Sequence, residues 1–171
     1  MTRRELMALG LAGVFSKALA AADAPPSTPS DTAKKARLLS RPGSAPSEKT
    51  SVQPGLQELG LGRRRDGLLY VPAGFKADKA APLVVLFHGA GMSAKRALGP
   101  LQPLADGAGM ILLAIDSRGE TWDVVEGGFG PDIAFLDRAL ELVFSRCLVD
   151  PARIAAEGFS DGASYALSIG V

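Results

Sequence analysis

The sequence predicts an α/β domain, a mostly parallel sheet with helices on both faces that is incomplete beyond its third parallel strand. Three observations predict it. Strand-like and helix-like segments alternate from about residue 55 onward. Leu83-Val84-Val85-Leu86-Phe87 and Met110-Ile111-Leu112-Leu113-Ala114-Ile115 are continuous apolar runs, as strands buried on both faces require. Gly158-Phe159-Ser160-Asp161-Gly162 lies between a strand-like and a helix-like run. In such a sheet the binding crevice lies beyond the carboxyl ends of the strands.

Before the domain stand two segments of different composition. Arg3-Arg4 precede an apolar run, Leu6 to Phe15, that is too short to span a bilayer, and small residues follow from Ala18 to Ala22. This is signal-peptide architecture over residues 1–22, with export to the periplasm or beyond as the expectation and the export machinery as a partner. The paired arginines before Glu5-Leu6-Met7 resemble the twin-arginine motif; an ordinary signal peptide and an uncleaved amphipathic helix are the alternatives. Residues 23–54 are rich in Pro, Ser, Ala and Thr, with Leu38, Leu39 and Val52 as the large apolar residues. So little apolar surface does not offset the entropy of ordering, which predicts a disordered linker.

Residues 55–171 carry the folded pattern. Leu56 to Leu61 and Leu68 to Val71 flank Arg63-Arg64-Arg65-Asp66-Gly67, which reads as a solvated hairpin turn between antiparallel strands. Ala94 to Ala108 reads as a helix weakened, and open to a break, at Gly99, Pro100 and Pro103. Pro131 opens a longer helix whose apolar residues Ile133, Leu136, Leu140 and Val143-Phe144 recur at helical spacing up to Cys147. Asp150-Pro151 marks a turn, Arg153 to Glu157 a short strand, and Ala163 to Ile169 the start of a buried helix.

Composition excludes several functions. The formal charge is +1, and without the first 22 residues about −1, so nothing favours nucleic acid. With one cysteine, Cys147, and one histidine, His88, the chain has neither a disulfide framework nor a cysteine-rich zinc site, and no metal or cofactor is expected. Cys147, between Phe144 and Leu148, reads as a small buried hydrophobe.

The chemistry resides in the G-x-S-x-G frame. A strand-to-helix turn this tight admits only small residues two before and two after the serine, which Gly158 and Gly162 satisfy, and it presents the Ser160 hydroxyl in a strained backbone conformation. Ser160 is therefore the candidate nucleophile, against a plain glycine-bounded turn. Acyl transfer also needs a base and donors to the oxyanion. The amide after the serine, that of Asp161, is one candidate donor; Ala90 or Gly91, in the His88-Gly89-Ala90-Gly91 turn at the same sheet edge, supplies the other.

Together these segments resemble the α/β-hydrolase superfamily, and within it the small exported esterases grouped with polyhydroxybutyrate depolymerase-like and feruloyl-esterase-like proteins, and carboxylesterase/phospholipase-type enzymes. The matched features are Pro82 to Gly91, Ile115 to Gly119, Gly130 to Leu136 and Val149 to Ala163, so the resemblance covers about residues 55–171. It implies a serine ester hydrolase acting on a small-molecule or polymeric ester through an acyl-enzyme on Ser160. It also implies that His88 and Gly89 support the oxyanion turn, His88 bracing it rather than serving as the base, and that the acid and catalytic histidine come later in the chain. Asp132 reads as structural, at the start of its helix near the dipole and backbone amides. Trp122 and Phe129 either line a pocket or pack over the sheet end. Two departures follow: the acid and histidine are absent, and so are the strands that would cover the strand leading to Ser160. The expectation is a truncated hydrolase, poorly soluble and inactive alone. A non-catalytic binding module is the alternative.

Overall fold

The protein's computed structural model describes residues 37–43 and 52–170. The expected signal peptide and most of the expected linker lie outside the described residues. Five strands form one sheet: β1 Gly55–Glu58, β2 Gly67–Val71, β3 Ala81–Phe87, β4 Ile111–Ile115 and β5 Val149–Gly158. The helices are α1 Ala94–Leu98, α2 Gln102–Ala108, α3 Asp123–Glu126, α4 Pro131–Arg146 and α5 Asp161–Gly170. Across the sheet the order is β1-β2-β4-β3-β5. The first two strands pair antiparallel with each other, and β2 antiparallel with β4, while β3 runs parallel to both β4 and β5.

This order, with the handedness of crossovers, fixes which face each connecting helix covers. From β3 the chain steps to β4 on one side, and from β4 it returns past β3 to β5 on the other. Right-handed connections in opposite directions must place their helices on opposite faces. The core divides accordingly. Leu86, Leu112 and Ala114 pack with Ala94, Leu98 and Ala105 of α1 and α2 on one face. Leu83, Val85, Phe87, Ile111, Leu113 and Ile115 pack with Ile133, Leu136, Leu140 and Val143 of α4 and Tyr165 of α5 on the other. The fold is thus of the α/β class, a mostly parallel sheet at its centre with helices on both faces.

Several local departures have clear causes. The Ala94–Ala108 segment is two helices, broken over Gly99 to Leu101; Pro103 is tolerated because it falls in the first turn of α2, and Gly109 ends that helix at φ 62°. The turn between β1 and β2 is tied down by Asp66, whose carboxylate accepts the amides of Gly60, Leu61 and Gly62 at 2.7, 3.0 and 3.1 Å. Arg63 and Arg64 are exposed there, but Arg65 donates to the Ser117 carbonyl and hydroxyl, each at 2.9 Å. The Asp150-Pro151 turn lies inside β5, at a bulge between the pairings Ala81↔Val149 and Leu83↔Ile154.

Residues 37–43 depart further from the expected disordered linker. Asp137 on α4 accepts the amides of Leu39 and Ser40, both at 2.8 Å, and the Ser40 hydroxyl donates to the Asp137 carbonyl. Leu38 packs against the larger core cluster. A single carboxylate that satisfies two backbone amides thus holds a segment whose own apolar content would not. At one margin of the sheet β5 is an edge strand, exposed from Pro151 to Glu157, with Ile154, Phe159 and Leu167 among the exposed large apolar residues.

Candidate active site

The carboxyl ends of β3 and β5 lie side by side, pairing as Phe87↔Gly158, and bring the two sequence motifs together. Beyond β5 the chain turns at once into α5. Ser160, at the apex, has φ 53°, the positive φ found at a non-glycine position among the described residues. A side chain there costs about 1–2 kcal/mol. The turn is held by Phe159 N to Phe87 O at 3.1 Å, Gly162 N to Phe159 O at 3.0 Å and Ala163 N to Ser160 O at 2.9 Å. Ser160 itself is exposed.

Both flanking glycines are required by space. A Cβ on Gly158 would lie 2.6 Å from Ala163 N, and one on Gly162 would lie 2.5 Å from His88 O, both closer than real Cβ atoms come. Gly89 is constrained from the other side, since its Cβ would meet the Phe159 ring at 3.1 Å.

The turn after β3 closes with Met92 N donating to Gly89 O at 3.0 Å, and Gly91 occupies its third position at φ 66°. Of the two amides offered as oxyanion donors in this turn, that of Gly91 is engaged, donating to Glu120 O at 2.8 Å. Ala90 remains the candidate on the β3 side, with Asp161 on the β5 side.

His88 is fully buried with both ring nitrogens engaged. Ser117 N donates to Nε2 at 2.9 Å, so Nε2 is unprotonated and Nδ1 carries the hydrogen toward Gly89 O at 2.7 Å. The backbone carbonyl of His88 accepts Trp122 Nε1 at 2.8 Å, and the two rings lie 4.9 Å apart. Its geometry is that of a brace between two loops.

Trp122 is buried, edge-on to Phe87 at 5.2 Å and stacked on Tyr165 at 4.7 Å, with Phe129 6.3 Å from Tyr165. These aromatics pack over the sheet end under α5. The Tyr165 hydroxyl and Asp123 Oδ1 are buried without a protein partner. Burial pushes the Tyr165 phenol well above its ordinary value, and the Asp123 and Asp132 carboxylates add to the shift.

Asp132 is structural in a way its position in the helix did not reveal. It reaches back from α4 to accept the amides of Arg118 at 2.5 Å and Asp123 at 2.8 Å, while Asp123 Oδ2 accepts those of Gly130 and Asp132, both at 2.8 Å. The two carboxylates thus cap each other's segments. Burial raises the Asp132 pKa, opposed by the two amides and Arg118 and reinforced by Asp123. Burial also pushes the Cys147 thiol up to about 12, as befits an inert core residue.

Sequence reasoning gave no role to Ser117, Glu120 and Thr121, which tie the loop after β4 to the two motifs, or to Asp123, which ties that segment to the start of α4. Thr121 Oγ1 donates to Asp161 Oδ2 at 2.6 Å. Beside the turns lies an open crevice of about 780 Å³ whose lining includes Gly89, Met92, Lys95, Arg96, Glu157 and Phe159.

Among curated proteins, the chain is 30% identical over 185 aligned positions to "Putative esterase NocK" of Nocardia uniformis subsp. tsuyamanensis, a match covering 99% of this chain and 53% of that protein. It is 32% identical over 116 positions to feruloyl esterase B of Piromyces equi, covering 57% of this chain and 20% of that one. The chain is thus similar in sequence to two proteins named as esterases. It spans about half the length of the first of these relatives and a fifth of the second. No family model matches it. Among solved structures, an esterase of Thermogutta terrifontis, Est2, with butyrate bound superposes at a TM-score of 0.49, with 27% identity over 64% of this chain and 42% of that one; its native form gives 0.48 with 25% identity over 71% and 43%.

Proposed function

We propose that this chain supplies the nucleophile and oxyanion donors of a serine-dependent carboxylic ester hydrolase. The observation that carries the reading is the strained turn at Ser160, φ 53°, between two glycines that cannot bear a Cβ. A turn that costs energy and presents an exposed hydroxyl has a chemical use. The kinship with esterases supports an ester as substrate.

In the proposed reaction Ser160 Oγ attacks the ester carbonyl, the Asp161 and Ala90 amides receive the oxyanion, and the alcohol leaves a Ser160 acyl-enzyme that water hydrolyses. Each amide donor is worth roughly 3 kcal/mol in such a step. His88 does not take the serine proton, because both its nitrogens hold backbone groups. The base and its acid partner are proposed to come from sequence outside these 171 residues, after export by the route that Arg3-Arg4 suggest.

The test compares p-nitrophenyl acetate hydrolysis by the 171-residue chain with that by a protein extended through the downstream reading frame. The short form should turn over barely above background, the extended form faster by orders of magnitude, and Ser160→Ala should abolish the gain. Efficient hydrolysis by the short form, lost in His88→Ala, would contradict the assignment of His88. A non-catalytic binding module is the second reading, favoured by the engagement of the chain's one histidine. A stop codon directly after Val171 in the gene would support it.

A further inference from the structure

Three consecutive residues of the loop after β4 hold three separate parts of the site. Glu120 O accepts the Gly91 amide at 2.8 Å, Thr121 Oγ1 donates to Asp161 Oδ2 at 2.6 Å, and Trp122 Nε1 donates to His88 O at 2.8 Å. Just before them, Ser117 N donates to His88 Nε2. The loop is anchored in turn, because Asp132 grips the amides of Arg118 and Asp123 on either side of it. One side of the candidate oxyanion site stands on β3 and the other on β5; the strands are joined directly through Phe87↔Gly158 and Phe159 N to Phe87 O, and a second link spans the two turns beyond that pairing. Residues 120–122 are that link.

Thr121 has a second consequence. Asp161 presents its amide where negative charge would develop, yet the same residue carries a carboxylate. A carboxylate turned toward that charge would oppose it, and the more so the less water stands between them. The hydrogen bond from Thr121 fixes the carboxylate on the side of the β4 loop. From this we infer that Thr121 is a positioning residue for ester hydrolysis, holding the Asp161 carboxylate away from the oxyanion and setting the Asp161 amide relative to that of Ala90. The inference rests on the reading of Ser160 as nucleophile.

Two kinds of measurement separate this role from simple support, both on the protein extended through its downstream frame. In NMR spectra of the wild type, the Thr121 hydroxyl proton should be protected from exchange and close to Asp161. Thr121→Val should shift and broaden the Asp161 amide signal and raise Gly91 amide exchange about tenfold, whereas Thr121→Ser should leave both as in the wild type. With p-nitrophenyl acetate, Thr121→Val should lower kcat about tenfold with KM within about twofold, and Thr121→Ser should restore kcat. An unprotected Thr121 hydroxyl in the wild type, or a Thr121→Ser variant as impaired as Thr121→Val, would overturn the inference. Unchanged hydrolysis in Ser160→Ala would instead reject the nucleophile; the positioning of Asp161 by Thr121 would then stand or fall on the NMR signals.

Discussion

Gly162→Ala sets two effects of opposite sign against each other, which makes it a sharp test of the turn. Gly162 is the second residue of α5, and in an ordinary helix exchanging Gly for Ala gains up to about 1 kcal/mol. Here the added Cβ would sit 2.5 Å from His88 O and 2.6 Å from the Phe87 carbonyl carbon. Both atoms are backbone, one at the end of the central strand β3, which is paired on both sides, and one in the residue directly after it, and they have little room to yield. Overpacking of a well-ordered site costs typically 1–3 kcal/mol and more where backbone must move. The steric term wins, and a net loss of about 2 kcal/mol or more is predicted, lowering the melting temperature by roughly 6–10 °C for a domain of this size. Thermal unfolding by circular dichroism reads it. Gly74→Ala is the control, since nothing lies within 4 Å of its Cβ, and it should stay within about 2 °C of the wild type. A Gly162→Ala melting temperature at or above the wild-type value would refute the close approach of α5 to β3.

Three further substitutions test other parts of the account. Ser160→Gly should raise the melting temperature by a few degrees while Ser160→Ala does not, because only glycine relieves the strain at φ 53°; equal melting temperatures would argue against a strained turn. Tyr165→Phe removes a buried hydroxyl without a protein partner, so stability should hold or rise by up to about 1 kcal/mol; a loss above that would reveal a partner for the hydroxyl. Burial raises the folded-state pKa of Asp132 above the ordinary 3.8, so over that interval the native state binds more protons than the unfolded one. The stability that Asp132 contributes through this shift is therefore full below about pH 3.8 and is lost as pH rises through the raised value. Urea midpoints of wild type and Asp132→Asn, compared between about pH 4 and 7, should show the steeper fall in the wild type; parallel curves would mean that the shift is absent.

The parts of the fold legible in the sequence were those written in local periodicity. The buried runs at β3 and β4, the stripe of α4 and the glycine frame at Ser160 each depend on residues within a few positions of one another. The break between α1 and α2 was legible for the same reason, since Gly99 and Pro100 act on their own turn. The contacts that position the site join residues far apart in the chain. Thr121 and Asp161 are 40 residues apart and Arg65 and Ser117 are 52 apart, and no spacing rule pairs them. The amide of Gly91 looked as free as that of Ala90 until the loop after β4 was placed beside it. Asp137 holds Leu39 and Ser40 across almost a hundred positions, which is why composition alone misread that stretch. Asp132 was read as structural, and its partners are the amides of Arg118 in the loop after β4 and of Asp123 at the start of α3 rather than those in the first turn of its own helix.

Whether Ser160 Oγ is the nucleophile that becomes acylated is read by covalent labelling. A fluorophosphonate incubated with the protein extended through its downstream frame should add one phosphonyl group, mapped by peptide mass spectrometry to the segment containing Ser160 and absent in Ser160→Ala. The label found on another residue, or ester hydrolysis that survives Ser160→Ala, would contradict the account.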